Sequence, residues 1–384
     1  MENAHRLPPR TLLRSIRTDL KEKMVLLAGP RQVGKTSLAL SLLTPANEEN
    51  PAYLNWDDPQ SKSRILRGQF PERAPLIVLD EIHRYSKWRT LTKGFYDKNH
   101  SKRSFLITGS ARLDYFQRGG DSQLGRSWSY RLHPYSIREY KKKPAAADLQ
   151  SLLKFGGFPE PLAKLDETFH RRWHRERMRR VIQGDLRELE LVQEIGLLEL
   201  LAHTLPAKIG SPLSVQSLRE DLGVAHATVE KWLKMLERMF VCFRIPPFGS
   251  PKIRAVKKEQ KLYLWDWSSI EDPGARFENL VASQLLKYCH WLEDTQGFSM
   301  DLRYMRDTDK REVDFVVLKN QHPLFAVECK SGEKSIAPSL RYFKKRTKIP
   351  RFYQVHLGKS DFGDSELDVR VLPWLQFCEE LEMP

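Results

Sequence analysis

Val25-Leu26-Leu27-Ala28-Gly29-Pro30-Arg31-Gln32-Val33-Gly34-Lys35-Thr36 is an apolar run that leads straight into the pattern G-x-x-x-x-G-K-[ST], filled at every fixed position. A helix-forming stretch, Ser37–Leu43, leaves it. Strand, glycine-rich loop and helix are the parts of a phosphate cradle. The glycines let the backbone turn back so that successive N–H groups face phosphate oxygens, and the helix N-terminus adds partial positive charge. Gly29, Pro30, Arg31, Gln32, Val33, Gly34, Lys35 and Thr36 are therefore the expected nucleotide-binding residues. Lys35 would reach the β- and γ-phosphates, and the Thr36 hydroxyl would ligate Mg2+. ATP and Mg2+ are the expected cofactors.

Working outward, short apolar strands at Met24–Ala28, Ala52–Trp56, Leu76–Leu79 and Ser104–Thr108 alternate with helical segments. That alternation predicts an α/β domain with a parallel sheet. Leu76-Ile77-Val78-Leu79-Asp80-Glu81 delivers two carboxylates to a strand end. Asp80 is placed to hold the magnesium shell, and Glu81 to polarise an attacking water. Ser110, just after the last of these strands, is a candidate sensor of the γ-phosphate. Arg112 and Arg126 follow, and either could stabilise transition-state charge from across a subunit boundary.

The 384 residues hold 64 Lys and Arg against 49 Asp and Glu, a net charge of +15 that attracts polyanions, nucleic acid above all. No apolar run approaches the ~20 residues of a spanning helix, so no membrane is expected. The content of 18 Phe, 12 Tyr and 9 Trp excludes a disordered chain. Four scattered cysteines form neither a disulfide framework nor a zinc pattern, and the opening Met-Glu-Asn-Ala-His-Arg lacks the apolar core expected of a signal peptide. A reducing cytoplasm is the expected compartment.

Texture divides the chain in three: a P-loop parallel-sheet domain over 1–147, a helical lid with a winged-helix-like part over 148–250, and an α/β domain over 251–384. Phe169–Arg180 carries six arginines in one predicted helix, either a solvated face or a phosphate-binding one. Ser214, Val215–Leu222, Gly223, a helix over Ala225–Met239 and Val241–Ile245 read as helix, turn, helix and strand, the order of a winged helix-turn-helix. His226, Thr228 and Lys231 are its candidate groove-facing residues. Strands are predicted at Lys261–Trp265, Asp301–Met305, Glu312–Leu318, Leu324–Cys329 and Arg351–His356, with a helix near Ala275–Trp291. Asp314 is the lone charge inside one strand, and Glu328 and Lys330 share a face of the next. With Glu278 from the helix, these carboxylates could gather metal ions beside an orienting lysine.

Gly29–Thr36, Leu79-Asp80-Glu81, Thr108-Gly109-Ser110, Leu124-Gly125-Arg126, Pro134–Tyr140, Gly156-Gly157-Phe158-Pro159-Glu160, Glu278, Asp314 and Glu328-Cys329-Lys330 resemble the motifs of a prokaryotic AAA+-type ATPase family. Its members carry a C-terminal restriction-endonuclease-like domain and are mostly known only as ATP-binding proteins. The resemblance spans nearly the whole chain, and one departure is the absence of proline before Asp314. It implies a homo-oligomeric ring or partial ring with ATP between subunits, favours Arg126 as the finger, and implies a nuclease-type site at Asp314, Glu328 and Lys330. The expected function is a DNA-binding ATPase that remodels or moves on DNA. A metal-dependent nuclease gated by ATP and a nucleotide-switched protein scaffold are the alternatives.

Overall fold

In the computed structural model, which describes residues 7–110, 125–186, 194–249 and 259–384, the apolar runs around the glycine-rich loop pair edge to edge. β1 (Met24–Ala28), β2 (Tyr53–Asn55), β3 (Leu76–Asp80), β4 (Ser104–Gly109) and β5 (Ser127–Arg131) form an all-parallel sheet in the order β2-β3-β4-β1-β5. Every residue of β1 is buried, as expected of a parallel strand covered on both faces. This order puts β4 between β1 and β3, so the loop after Ala28 and the carboxylates after Leu79 open on one sheet edge. Ligands of open α/β sheets bind at that carboxyl edge.

The middle of the chain is helical, as its texture predicts. Helices run over Ala146–Phe155, Pro159–Lys164 and Glu167–Arg179, the last running into a wider π-type turn over Arg180–Leu186. Helices Val215–Leu222 and His226–Arg238 follow. Ser214 caps the first by accepting from the Ser217 N–H at 3.1 Å, and Gly223 ends it at φ +66°. β6 (Cys242–Ile245) then pairs antiparallel with β7 (Lys261–Leu264). The boundary expected between residues 250 and 251 thus falls between two strands of one sheet.

The last part is a six-stranded sheet in the order β12-β13-β11-β10-β9-β8. Its strands are β8 (Met300–Arg306), β9 (Glu312–Lys319), β10 (His322–Lys330), β11 (Phe352–His356), β12 (Phe362–Asp364) and β13 (Val369–Pro373). A 24-residue helix, Pro273–Gln296, packs against it. One apolar core is continuous from the middle helices into this sheet, through Trp267, Phe277 and Trp374. A second surrounds β1 and takes in Phe158 and Trp173 from the middle helices. Among the described residues no helix is long and apolar enough to cross a membrane.

Candidate functional site

The glycine-rich loop is shaped by contacts that only glycine permits. A Cβ on Gly29 would stand 2.5 Å from the Leu132 carbonyl oxygen, and Gly34 adopts φ +97°. Lys35 opens the helix Lys35–Leu40, and its buried ammonium donates to the Gly29 and Pro30 carbonyls at 3.0 and 2.9 Å. The loop lines a cavity of about 560 Å3 with Gln32, Gly34, Lys35, Thr36, Glu81 and Glu160 on its wall. A more apolar cavity of about 540 Å3 adjoins it, walled by Pro8, Leu13, Leu38, Tyr135 and Pro159. Volumes of this order hold small ligands.

Asp80 is 1 % exposed and is fixed from three sides. The Thr36 hydroxyl donates to its Oδ2 at 2.7 Å, the Tyr53 phenol donates to the same oxygen at 2.7 Å, and the Thr108 hydroxyl donates to Oδ1. Burial and the Asp80 charge push the Tyr53 phenol far up, so it stays a donor. Thr36, on the cavity wall, and Asp80, hydrogen-bonded behind it, hold adjacent oxygens, a donor set that suits a hard cation completed by phosphate and water. Glu81 sits in the left-handed region at φ +56°, a strained conformation for a non-glycine residue. Its Oε2 accepts from the Ser110 hydroxyl at 3.3 Å and lies 3.3 Å from His83 Nδ1. Burial, Lys35 and Arg84 together push the His83 imidazole down to about 3, so it is neutral at ordinary pH.

Sequence reasoning did not single out Tyr53, Thr108 or His83. The first two come from neighbouring strands and have no spacing signal; His83 lies two residues after Glu81 and was within reach of the motif. Arg10 was missed as well: its guanidinium donates to the Val33 carbonyl at 3.0 Å and pairs with Glu139 at 3.2 Å. Arg126 lies at the opposite end of β5, beside Met24, and pairs with Asp97 at 2.7 Å. It does not face the loop of its own chain. Arg112 and Leu124 lie outside the described residues.

In the C-terminal sheet the strand pairing Val327↔Phe315 sets Glu328 beside Asp314. The Cys329 N–H donates to Asp314 Oδ2 at 2.8 Å, and Lys330 Nζ donates to Glu328 Oε1 at 2.6 Å. The fold does bring Glu278, Asp314, Glu328 and Lys330 together. It also inserts Lys261, fully buried, whose ammonium lies 3.2 Å from Glu278 Oε1 and 3.3 Å from Asp314 Oδ1 and pairs with Glu312. The Tyr263 hydroxyl donates to Glu278 at 2.8 Å. Burial and then the Asp314 charge raise Glu278 to about 7 and Glu328 to about 8. Among the described residues no three His, Cys, Asp or Glu side chains converge as a metal site requires. Glu278 and Asp314, expected to share a metal ion with Glu328, instead share the Lys261 ammonium. A resident metal does not fit this arrangement.

The motif residues of the helical middle fall on its outer face: His226 and Lys231 are exposed and Thr228 is half-buried. Of the six arginines in the Arg-rich segment, Arg177 is buried with its guanidinium 4.1 Å from the Phe158 ring centre, and the others are exposed.

Three family models match the chain in series: an AAA domain over residues 21–141, a domain of unknown function (DUF8612) over 146–270 and a second (DUF4143) over 273–377. An uncharacterised protein of Methanocaldococcus jannaschii is 24 % identical over 93 % of this chain and 85 % of its own length. One of Mycobacterium tuberculosis is 24 % identical over 91 % of this chain and 79 % of its own. Among solved structures, the Orc1 protein of Aeropyrum pernix in complex with DNA matches with a TM-score of 0.35 and 14 % identity, over 73 % of this chain and 94 % of that one. The RuvB Holliday junction branch migration motor of Thermotoga maritima matches with a TM-score of 0.29 and 20 % identity, over 61 % of this chain and 87 % of that one. Residues 21–141 are an AAA-family P-loop ATPase domain, and DUF4143 lies at the C-terminal end.

Proposed function

We propose that this chain hydrolyses Mg-ATP and couples the hydrolysis to remodelling of, or movement on, DNA. One observation carries the reading. Lys35, Thr36 and Glu81 line one cavity at the mouth of the glycine-rich loop, with Asp80 directly behind Thr36 and accepting from its hydroxyl at 2.7 Å. The loop N–H groups and Lys35 grip the β- and γ-phosphates, the ammonium exchanging the two loop carbonyls for phosphate oxygens. Thr36 and Asp80 would hold Mg2+, whose charge would offset that of the phosphates. Glu81, kept in place by Ser110 and His83, takes the proton of the attacking water. Arg126, turned away from its own loop, is the candidate to act in a neighbouring subunit of a ring or partial ring.

The DNA-directed part is supported by the net charge of +15 and by the helix pair Val215–Leu222 and His226–Arg238. That pair is followed by the β6–β7 ladder, and Pro212 bridges to Lys261. We read this as a winged helix, with His226, Thr228 and Lys231 outward. An ATP-gated nuclease with a restriction-endonuclease-like fold is not favoured by a carboxylate cluster closed around Lys261.

The test is the ATPase rate of the full chain with single-stranded, duplex and branched DNA. DNA should stimulate turnover, and Lys35→Ala should abolish it. Glu81→Gln should lower turnover by about 10²-fold or more with nucleotide still bound. Turnover indifferent to every DNA, with no DNA bound at low salt, would overturn the proposal.

A further inference from the structure

The phosphate loop also borders a second cleft. Arg31, the third residue of the loop, lines a cavity of about 410 Å3 with Arg84, Arg179 and Arg180, against the carboxylates of Asp57 and Glu176. Four guanidinium groups against two carboxylates leave it positive. Arg84 pairs with Asp57 at 3.1 Å, Arg180 with Glu176 at 2.9 Å, and Arg179 with the Gln183 amide at 3.2 Å. Such exposed contacts are each worth under about 1 kcal/mol and exchange readily for a phosphate, which guanidinium groups grip with paired N–H donors.

The helix Glu167–Arg179 extends the charge away from this cleft. Trp173 and Arg177 face inward, four residues apart. Arg172, Arg175 and Arg179 recur at i, i+3 and i+7 on the exposed side. At about 1.5 Å per residue this face covers roughly 10 Å. One DNA strand carries a phosphate every ~3.4 Å of axis and winds as it rises, so a face of this length can meet more than one phosphate of the strand.

We propose that the cleft takes one phosphodiester of a DNA strand and that the arginine face of the helix holds the phosphates beside it. The inference rests on the DNA-directed reading above and gives that reading a location. A DNA phosphate seated against Arg31 touches the loop that grips ATP. DNA occupancy and nucleotide occupancy then act on one short stretch of backbone.

The test is fluorescence anisotropy of a labelled duplex with the full chain across a salt series from ~50 to ~200 mM. The double variant Arg179→Gln/Arg180→Gln changes only side chains whose bonds are local and exposed, and its melting temperature should stay near that of the unmodified chain. Its plot of log affinity against log salt should flatten by about 0.9 per lost phosphate contact, near 2 in all. Arg179→Lys/Arg180→Lys should restore most of the slope. Full affinity and full slope in the Gln variant, with the unmodified chain binding duplex, would overturn the cleft and leave the wider proposal standing. Absence of any duplex binding by the unmodified chain would overturn both.

Discussion

Lys261, at the start of β7, is the cation on which three carboxylates beside the C-terminal sheet depend. It pairs with Glu278, Glu312 and Asp314 and is fully buried. Lys261→Met keeps the volume and removes the cation, leaving like charges close together in a largely buried cluster. Breaking such a buried cluster costs about 3–5 kcal/mol. The urea midpoint should fall by that equivalent, and added Mg2+ should not restore it; recovery with Mg2+ would show that the carboxylates accept a metal after all. In the ATPase domain the comparable residue is Tyr53, a positioning residue for Asp80. Tyr53→Phe should raise the Mg2+ needed for half-maximal turnover about tenfold, the usual effect of losing a hydrogen bond to a metal-holding carboxylate. An unchanged Mg2+ titration would show that Thr36 and Thr108 suffice. Asp80 and Glu81 were legible because an apolar run delivers them. Tyr53 and Lys261 were not, since each acts on a carboxylate brought to it only by folding.

At the scale of elements, the most telling contact joins three segments distant in sequence. Glu139 is wholly buried between Arg10, at 3.2 Å, and Lys287, at 2.6 Å. Burial alone would raise its carboxyl, but the two cations and the Thr11 N–H outweigh it and hold it at about 2, against an ordinary 4.5. The folded pKa is the lower one, so the stabilisation is complete above about 4.5 and is lost as the pH falls toward 2. Its full size is roughly 3 kcal/mol by linkage. Denaturant midpoints measured between pH 6 and pH 3 should therefore drop more steeply in the unmodified chain than in Glu139→Gln, and equal slopes would contradict the assignment. The elements themselves were partly legible. β1 to β4 and the capped helix at Val215 follow from apolar runs and from Ser214 and Gly223. β5 was not, because Ser127-Trp128-Ser129-Tyr130-Arg131 sits at a sheet edge and needs no apolar run; only Tyr130 of it is deeply buried. β12 escaped as a three-residue strand at the other sheet's edge, with Phe362 and Gly363 exposed.

Across the whole molecule, the helix Pro273–Gln296 is the member common to both sheets. Its N-terminal half carries Glu278 into the cluster around Lys261, and its C-terminal half lies against β5 of the ATPase sheet. There Arg131 binds Glu293 at 2.7 Å, and its backbone N–H donates to Asp294 at 2.8 Å; His133 meets His290 at 2.8 Å. Texture suggests a three-domain division but gives no sign of this shared helix, since nothing in a periodic run tells which two sheets it will touch. Such a strut makes the two sheets one cooperative unit, provided its ionic end holds. Arg131→Ala removes the charge that faces the largely buried Asp294 and leaves that carboxylate uncompensated, at a cost of about 3 kcal/mol or more. Calorimetry should then resolve the single unfolding transition of the unmodified chain into two, the ATPase domain melting first. Arg131→Lys, which keeps the charge but loses the paired donors, should shift the transition only partway. A single transition at an unchanged temperature in Arg131→Ala would mean that apolar packing alone welds the sheets together, and that the ion pairs along β5 set only their register.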